Sequence, residues 1–311
     1  MRTILSAALA VFFVAGCPNK EQNSSIERMN TCVKAYSNKQ YETAVTECKK
    51  SVEEWRENHQ AWYTLGAAYA GRANWEDSAA AFEKAVSIRD GEAMYQMWYG
   101  VSSYEKAIQQ AAEAQAKALG KKVTEIKVDL STVSFDKAAQ NLQAAIKRNK
   151  DLWRAHYYLG KIYRETNRDQ DAATHFTEAI KAAPNESGPY VALGELYRKW
   201  DYPDQAIQVT TLGTQHVPGN QEVATVWYVL GMAYNDKRQD DKAIEAFTKA
   251  LEAKRDYHRA KFQRGQSYYR KGELGKALKD LDEFAKGGSA SDDFAKNQAQ
   301  RMLAEIRSKQ Q

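Results

Sequence analysis

The side chains of this 311-residue chain that could do chemistry are few: three cysteines, five histidines and some adjacent acids. His59, His156, His175, His216 and His258 lie far apart, and no two sit three or four positions from each other. No helix face therefore offers a pair of imidazoles to a metal ion. The signatures H-E-x-x-H, G-x-S-x-G and the P-loop are absent. Asp240-Asp241 and Asp292-Asp293 stand at expected helix starts, where negative charge suits the helix dipole. Cys32 and Cys48 form no C-x-x-C motif, and Cys17 ends a short apolar run. The expectation is no enzyme, no cofactor, no metal and no small-molecule substrate.

What must position these residues is a recurring helix pair, seen whole over Trp153–Pro184. Leu159, Gly160 and Tyr163 share one helical face, and Ala172, Phe176 and Ala179 recur at i, i+4 and i+7. Gly160 and Ala172 are small where two helices would cross, and Tyr163 and Phe176 are large where a gap must be filled. Pro184 cannot extend the second helix. Adding 34 to Leu159, Gly160, Tyr163, Ala172 and Pro184 lands on Leu193, Gly194, Tyr197, Ala206 and Pro218. After a short slip the pattern returns at Trp227, Leu230, Gly231, Tyr234, Ala243, Phe247 and Ala250, then at Gly265, Tyr268 and Ala277. Upstream, Trp62, Leu65, Gly66, Tyr69, Phe82 and Ala85 give another copy. L-G-x2-Y, A-x3-F-x2-A and a closing proline resemble the tetratricopeptide repeat, whose period is 34 residues. The resemblance implies an all-α superhelix of about seven helix pairs with a C-terminal capping helix.

Arg2 followed by the apolar stretch Ile4–Ala15 has the length of a signal-peptide core and is short for a membrane span. Val14-Ala15-Gly16-Cys17 resembles the lipobox of bacterial lipoproteins, which implies cleavage before Cys17 and a diacylglycerol on its thiol. Residues 1–16 are then the signal peptide and 17–25 a lipidated, flexible tether of about 25–30 Å at full extension. By the same resemblance, Pro18 rather than an aspartate after the cysteine favours the outer membrane, with the protein facing the periplasm.

The repeat frame assigns 26–57 to a degenerate first repeat, 58–91 to the second and 92–151 to the third. Repeats four to seven follow over 152–185, 186–222, 223–256 and 257–288, with the cap over 289–311. In the third repeat Gly100 and Ala138 are too far apart by 26 residues, so about 106–131 reads as an insertion, an overlong first helix and a return loop. In the first repeat Cys32 takes the glycine position and Cys48 the large-residue position, which face each other in the family. They are either a disulfide pinning that repeat or two small buried thiols. The cap would turn Phe294, Ala295, Met302, Leu303 and Ile306 to one side.

The formal charge of +5 reads as mild and dispersed, with no case for nucleic acid. The resemblance implies a protein-binding inner groove, lined by first-helix side chains that point away from the packing layer. These are Tyr63 early in the chain, then Tyr157, Lys161 and Arg164, then Val191, Glu195 and Arg198. Tyr228, Met232 and Asn235 follow, and Phe262, Gln266, Tyr269 and Arg270 end the series. Aromatic rings among cations suit a peptide with apolar anchors and some acidic character. The combination of repeats and anchor is similar to the outer-membrane pilotins of type IV pilus secretins, implying a secretin subunit as partner. A β-barrel, motility or secretion assembly factor, and a regulator docking a peptidoglycan enzyme, are the alternatives.

Overall fold

A computed structural model describes residues 20–287 and 293–309. The signal sequence, Cys17 and the start of the tether lie outside these residues. Among the described residues there are fifteen α-helices and no strand. The helices fall into two units, ending and beginning at Arg168 and Asp169.

The first unit holds α1 (Lys20–Ser37), α2 (Tyr41–Glu54), α3 (His59–Gly71), α4 (Trp75–Ile88), α5 (Ala93–Leu119), α6 (Asp136–Arg148) and α7 (Trp153–Glu165). Each second helix buries a triplet at i, i+4 and i+7: Ala44, Cys48 and Ser51 in α2, Ser78, Phe82 and Ala85 in α4, and Ala138, Leu142 and Ala145 in α6. The partner helix answers with a glycine. A Cβ on Gly66 would come 2.9 Å from the Phe82 ring, and one on Gly100 would come 2.7 Å from Leu142. In the first pair the same register is bridged covalently, because Cys32 and Cys48 form a disulfide with 5.4 Å between their Cα atoms.

One feature departs from the sequence expectation. The tether assigned to 17–25 is helical from Lys20 onward. Ser25 is fully buried and bonds to Ser51, with Oγ to the carbonyl oxygen at 2.8 Å and to Oγ at 3.0 Å, and it accepts from Asn58 at 3.0 Å. The serine is therefore a packing residue, since its hydroxyl is satisfied inside the first helix pair. Over 106–131, α5 runs on to Leu119, 27 residues in all, and two short 3-10 turns follow, Val123–Glu125 and Leu130–Thr132.

The second unit holds α8 (Asp169–Ala182), α9 (Ser187–Lys199), α10 (Pro203–His216), α11 (Asn220–Asp236), α12 (Asp240–Ala253), α13 (His258–Arg270), α14 (Leu274–Gly287) and α15 (Asp293–Lys309). Ala243, Phe247 and Ala250 in α12, and Ala277, Leu281 and Phe284 in α14, repeat the buried triplet. In α10 the triplet is Ala206, Thr210 and Gly213, two residues of which are too small to fill the gap. The ring of Tyr190 from α9 takes up the space: a Cβ on Gly213 would lie 2.8 Å from it. Helix α15 covers the last pair with Ala299, Leu303 and Ile306. Phe294 does not join that face and is 85% exposed. It lies in the first turn of α15, away from the stretch that carries Ala299, Leu303 and Ile306 onto α14.

The turns inside the pairs place one residue in the left-handed region: Lys39, Ala73, Asp201, Arg238 and Gly272, with φ between 56° and 77°. Only Gly272 escapes the Cβ clash that this conformation imposes.

Candidate functional site

In the second unit the first helices of three successive pairs, α9, α11 and α13, line an open groove of about 700 Å³. Glu195, Arg198, Met232, Asn235 and Arg270, all expected from the repeat offsets, stand on its wall. So do Lys199, Asp201, Asp236, Arg238 and Gln263, which the offsets did not include. The signal for most of these was present. Counting from Gly194 and Gly231, charges recur five residues on (Lys199, Asp236) and seven on (Asp201, Arg238), one turn beyond the positions considered.

The groove wall is held by its own polar bonds. Arg198 pairs with Asp236 across α9 and α11, its Nη2 donating to Oδ1 at 3.1 Å. Arg270 donates to Asn235 Oδ1 at 2.7 Å and pairs with Asp240. Ser267 Oγ donates to the same Asn235 oxygen at 2.9 Å. Asn235 thus spends its carbonyl on orienting Arg270, leaving its amide for a ligand. Arg238 is exposed and carries no ion pair among the described residues.

The other expected residues are placed differently. Phe262 belongs to the core: it is 6% exposed, with its ring 4.8 Å from that of Phe284. Position G−3 borders the packing layer, and a ring as large as phenylalanine gains more by burial there than by facing water. Val191 and Tyr269 pack against core clusters of α9–α11 and α13–α15. Gln266 does not line the groove. Tyr228 packs on Tyr257, ring centroids 5.1 Å apart, and with Phe262, Phe284 and Ala295 borders a smaller cleft of about 210 Å³. Burial pushes the Tyr257 hydroxyl up to about 12.

In the first unit the corresponding face is aromatic. Tyr63 stacks on Tyr95 at 4.9 Å, and the Tyr95 hydroxyl meets His59 Nδ1 at 2.8 Å. Burial raises Tyr95 to about 12 and, with Arg89 nearby, holds His59 below its usual value. Tyr157 packs on Trp153 and Tyr158, and the Arg154 guanidinium lies 4.3 Å from the Trp153 ring. Lys161 is not a groove cation reaching into solvent. Its Nζ lies 4.5 Å from the Tyr104 ring and 4.7 Å from that of Tyr158, and burial lowers its pKa. Arg164 is paired with Glu165 at 3.0 Å. Among the described residues no cluster of histidine, cysteine and acid could hold a metal ion. No described helix is long and apolar enough to cross a membrane.

Helix pairs in this register, with small residues at each crossing and a polar groove on the first helices, define a tandem tetratricopeptide-repeat fold. The comparisons agree. Residues 134–187 and 224–257 each match a sequence model of the tetratricopeptide repeat. A tetratricopeptide repeat protein from Parabacteroides merdae ATCC 43184 superposes with a TM-score of 0.57 at 12% identity, over 92% of this chain and 99% of that one. The Cut9-Hcn1 hetero-tetramer of APC/C gives 0.58 at 14% identity, over 92% and 53%, and yeast Tom70 gives 0.54 at 14% identity, over 93% and 55%. In sequence, the phagocyte signaling-impaired protein of Aedes aegypti is 23% identical over 114 residues, 36% of this chain. This chain spans 12% of that relative's length. The chain thus has the fold of a tetratricopeptide-repeat solenoid, and two of its segments match models of that repeat.

Proposed function

We propose that this protein is a membrane-anchored scaffold that captures a segment of an envelope-machine subunit in the α9–α11–α13 groove and helps that subunit assemble. The observation that carries the reading is the groove itself. Helix α11 and the turn after it present the Asn235 amide, the Met232 thioether and Arg238 on a wall pre-organised by the Arg198–Asp236 and Arg270–Asp240 pairs. Pre-ordered side chains lose less entropy on binding, which favours capture of an extended or helical peptide. Acidic groups on that peptide would meet Arg238.

The anchor is a diacylglycerol on Cys17, and the site is the periplasmic face of the outer membrane. The favoured partner is a secretin subunit of the type IV pilus kind. Crosslinking and pull-down from envelopes should recover the partner with the wild-type chain. Arg238→Glu combined with Arg198→Ala should recover at least tenfold less while the melting temperature stays within a few degrees. Equal recovery would remove the groove from the proposal. Gene deletion separates the machines: lost secretin multimers and pili support the secretin reading. Lost porins would point to β-barrel assembly, and altered cell shape with normal pili to a peptidoglycan enzyme. Cys17→Ser should move the protein from the membrane to the soluble fraction.

A further inference from the structure

The long arm of the third helix pair ends in a surface that the groove does not use. Helix α5 stops at Gly120, whose φ of 62° lets the chain reverse, with the Lys121 N–H donating to the Ala116 carbonyl at 3.0 Å. This turn leaves Leu119 55% exposed and Val123 45% exposed on either side of the glycine. Isolated exposed apolar residues need no explanation, but these two sit among four lysines, Lys117, Lys121, Lys122 and Lys127. All four are exposed, and none makes an ion pair or side-chain hydrogen bond among the described residues. With Glu125 as the sole acid, residues 117–127 carry a net charge of +3, more than half of the +5 of the whole chain.

Elsewhere in this protein helix-end cations are met by acids of a neighbouring pair, such as Lys199 by Asp169 and Lys271 by Asp241. The tip of the arm is the place where positive charge is gathered and left unanswered beside apolar side chains. We infer that this tip docks on an anionic phospholipid surface, with Leu119 and Val123 entering the interfacial layer and the lysines facing lipid phosphates. Charge complementarity selects the occupant, because an apolar patch meant for a protein core would not be ringed by four exposed ammonium groups with a single acid among them. Near an anionic leaflet each lysine strengthens attachment roughly fivefold. The inference stands on the tip alone and is independent of the anchor at Cys17.

The test is co-sedimentation of the full-length chain with vesicles of phosphatidylcholine alone or with about one third phosphatidylglycerol. It is joined to amide hydrogen exchange, which reads residues 117–127 directly. Attachment beyond the phosphatidylcholine level is expected on the anionic vesicles, with slowed exchange confined to the tip. Lys121→Glu with Lys122→Glu should reduce that increment at least tenfold, and so should raising the salt to 0.5 M. Leu119→Ser with Val123→Ser should reduce it several-fold without changing the melting temperature, since both side chains face water in the free protein. Equal binding to both vesicle types, or an increment untouched by the lysine reversals, would overturn the inference. Exchange at the tip slowed by a partner protein but not by vesicles would also overturn it.

Discussion

At the scale of single residues, each packing glycine states a testable rule. A Cβ on Gly231 would lie 2.6 Å from the Phe247 ring, whereas one on Gly275 meets nothing within 4 Å. Gly231→Ala should cost about 1–3 kcal/mol in urea unfolding, and Gly275→Ala should cost nothing or stabilise by up to about 1 kcal/mol. The rule was legible in part, since the glycine and large-residue positions were expected to face each other: glycine meets the residue 16 positions on at Gly66–Phe82, Gly194–Thr210, Gly231–Phe247 and Gly265–Leu281. Gly100 meets Leu142 instead, offset further by the length of the insertion. Phe262 was misplaced because a helical offset alone does not say which side of a boundary position will be covered, and the covering residues Leu303 and Ile306 come from another helix. His59 adds a pH dependence. Its folded pKa lies below the ordinary 6.5, so the unfolded chain takes up the proton first. The stability it contributes is present above about pH 6.5 and is lost as pH falls toward the folded value. Between pH 7.5 and 5.5 the melting temperature of the wild type should drop more than that of His59→Gln.

At the scale of elements, an electrostatic ladder joins neighbouring pairs. The basic end of a first helix meets the acidic start of the preceding second helix: Arg72 with Glu42, Lys199 with Asp169, Lys237 with Asp204 and Lys271 with Asp241, at 2.5–3.4 Å. Each charge also opposes its own helix dipole, so both helix ends gain. Such exposed pairs are worth about 0–1 kcal/mol each, so the ladder guides register more than it stabilises. Of the acids, Asp241 could be read in the sequence as a helix start. The partners could not, because the spacing of about 30 residues becomes meaningful only once the pairs are stacked. The capping helix carries the larger energy. Ile306→Ala should cost about 2–5 kcal/mol, since Ile306 is fully buried against α14, while Phe294→Ser should cost almost nothing. Thermal melts of the two variants decide this.

At the scale of the whole chain, two units carry different faces on one repeat plan. The first is aromatic and largely self-packed, through Tyr63, Tyr95 and Tyr157; the second is polar and open, through Met232, Asn235 and Arg238. Capture is therefore expected of the second unit, and Tyr63→Ala should lower stability more than it lowers partner recovery. The repeat plan could be read from spacing because each pair obeys the same small-against-large rule. The division of labour could not, because it depends on which charges are already spent on each other.

The Cys32–Cys48 bridge has a mechanical side. Joining residues 16 apart, it should contribute about 3 kcal/mol, lost when reductant is added during urea unfolding. If a lipid at Cys17 holds the protein, every tug from the membrane enters through the Lys20 end of α1. Hydrogen bonds around Ser25 can be unzipped turn by turn, but at Cys32 the load passes through sulfur to Cys48, so residues 33–47 cannot be drawn out.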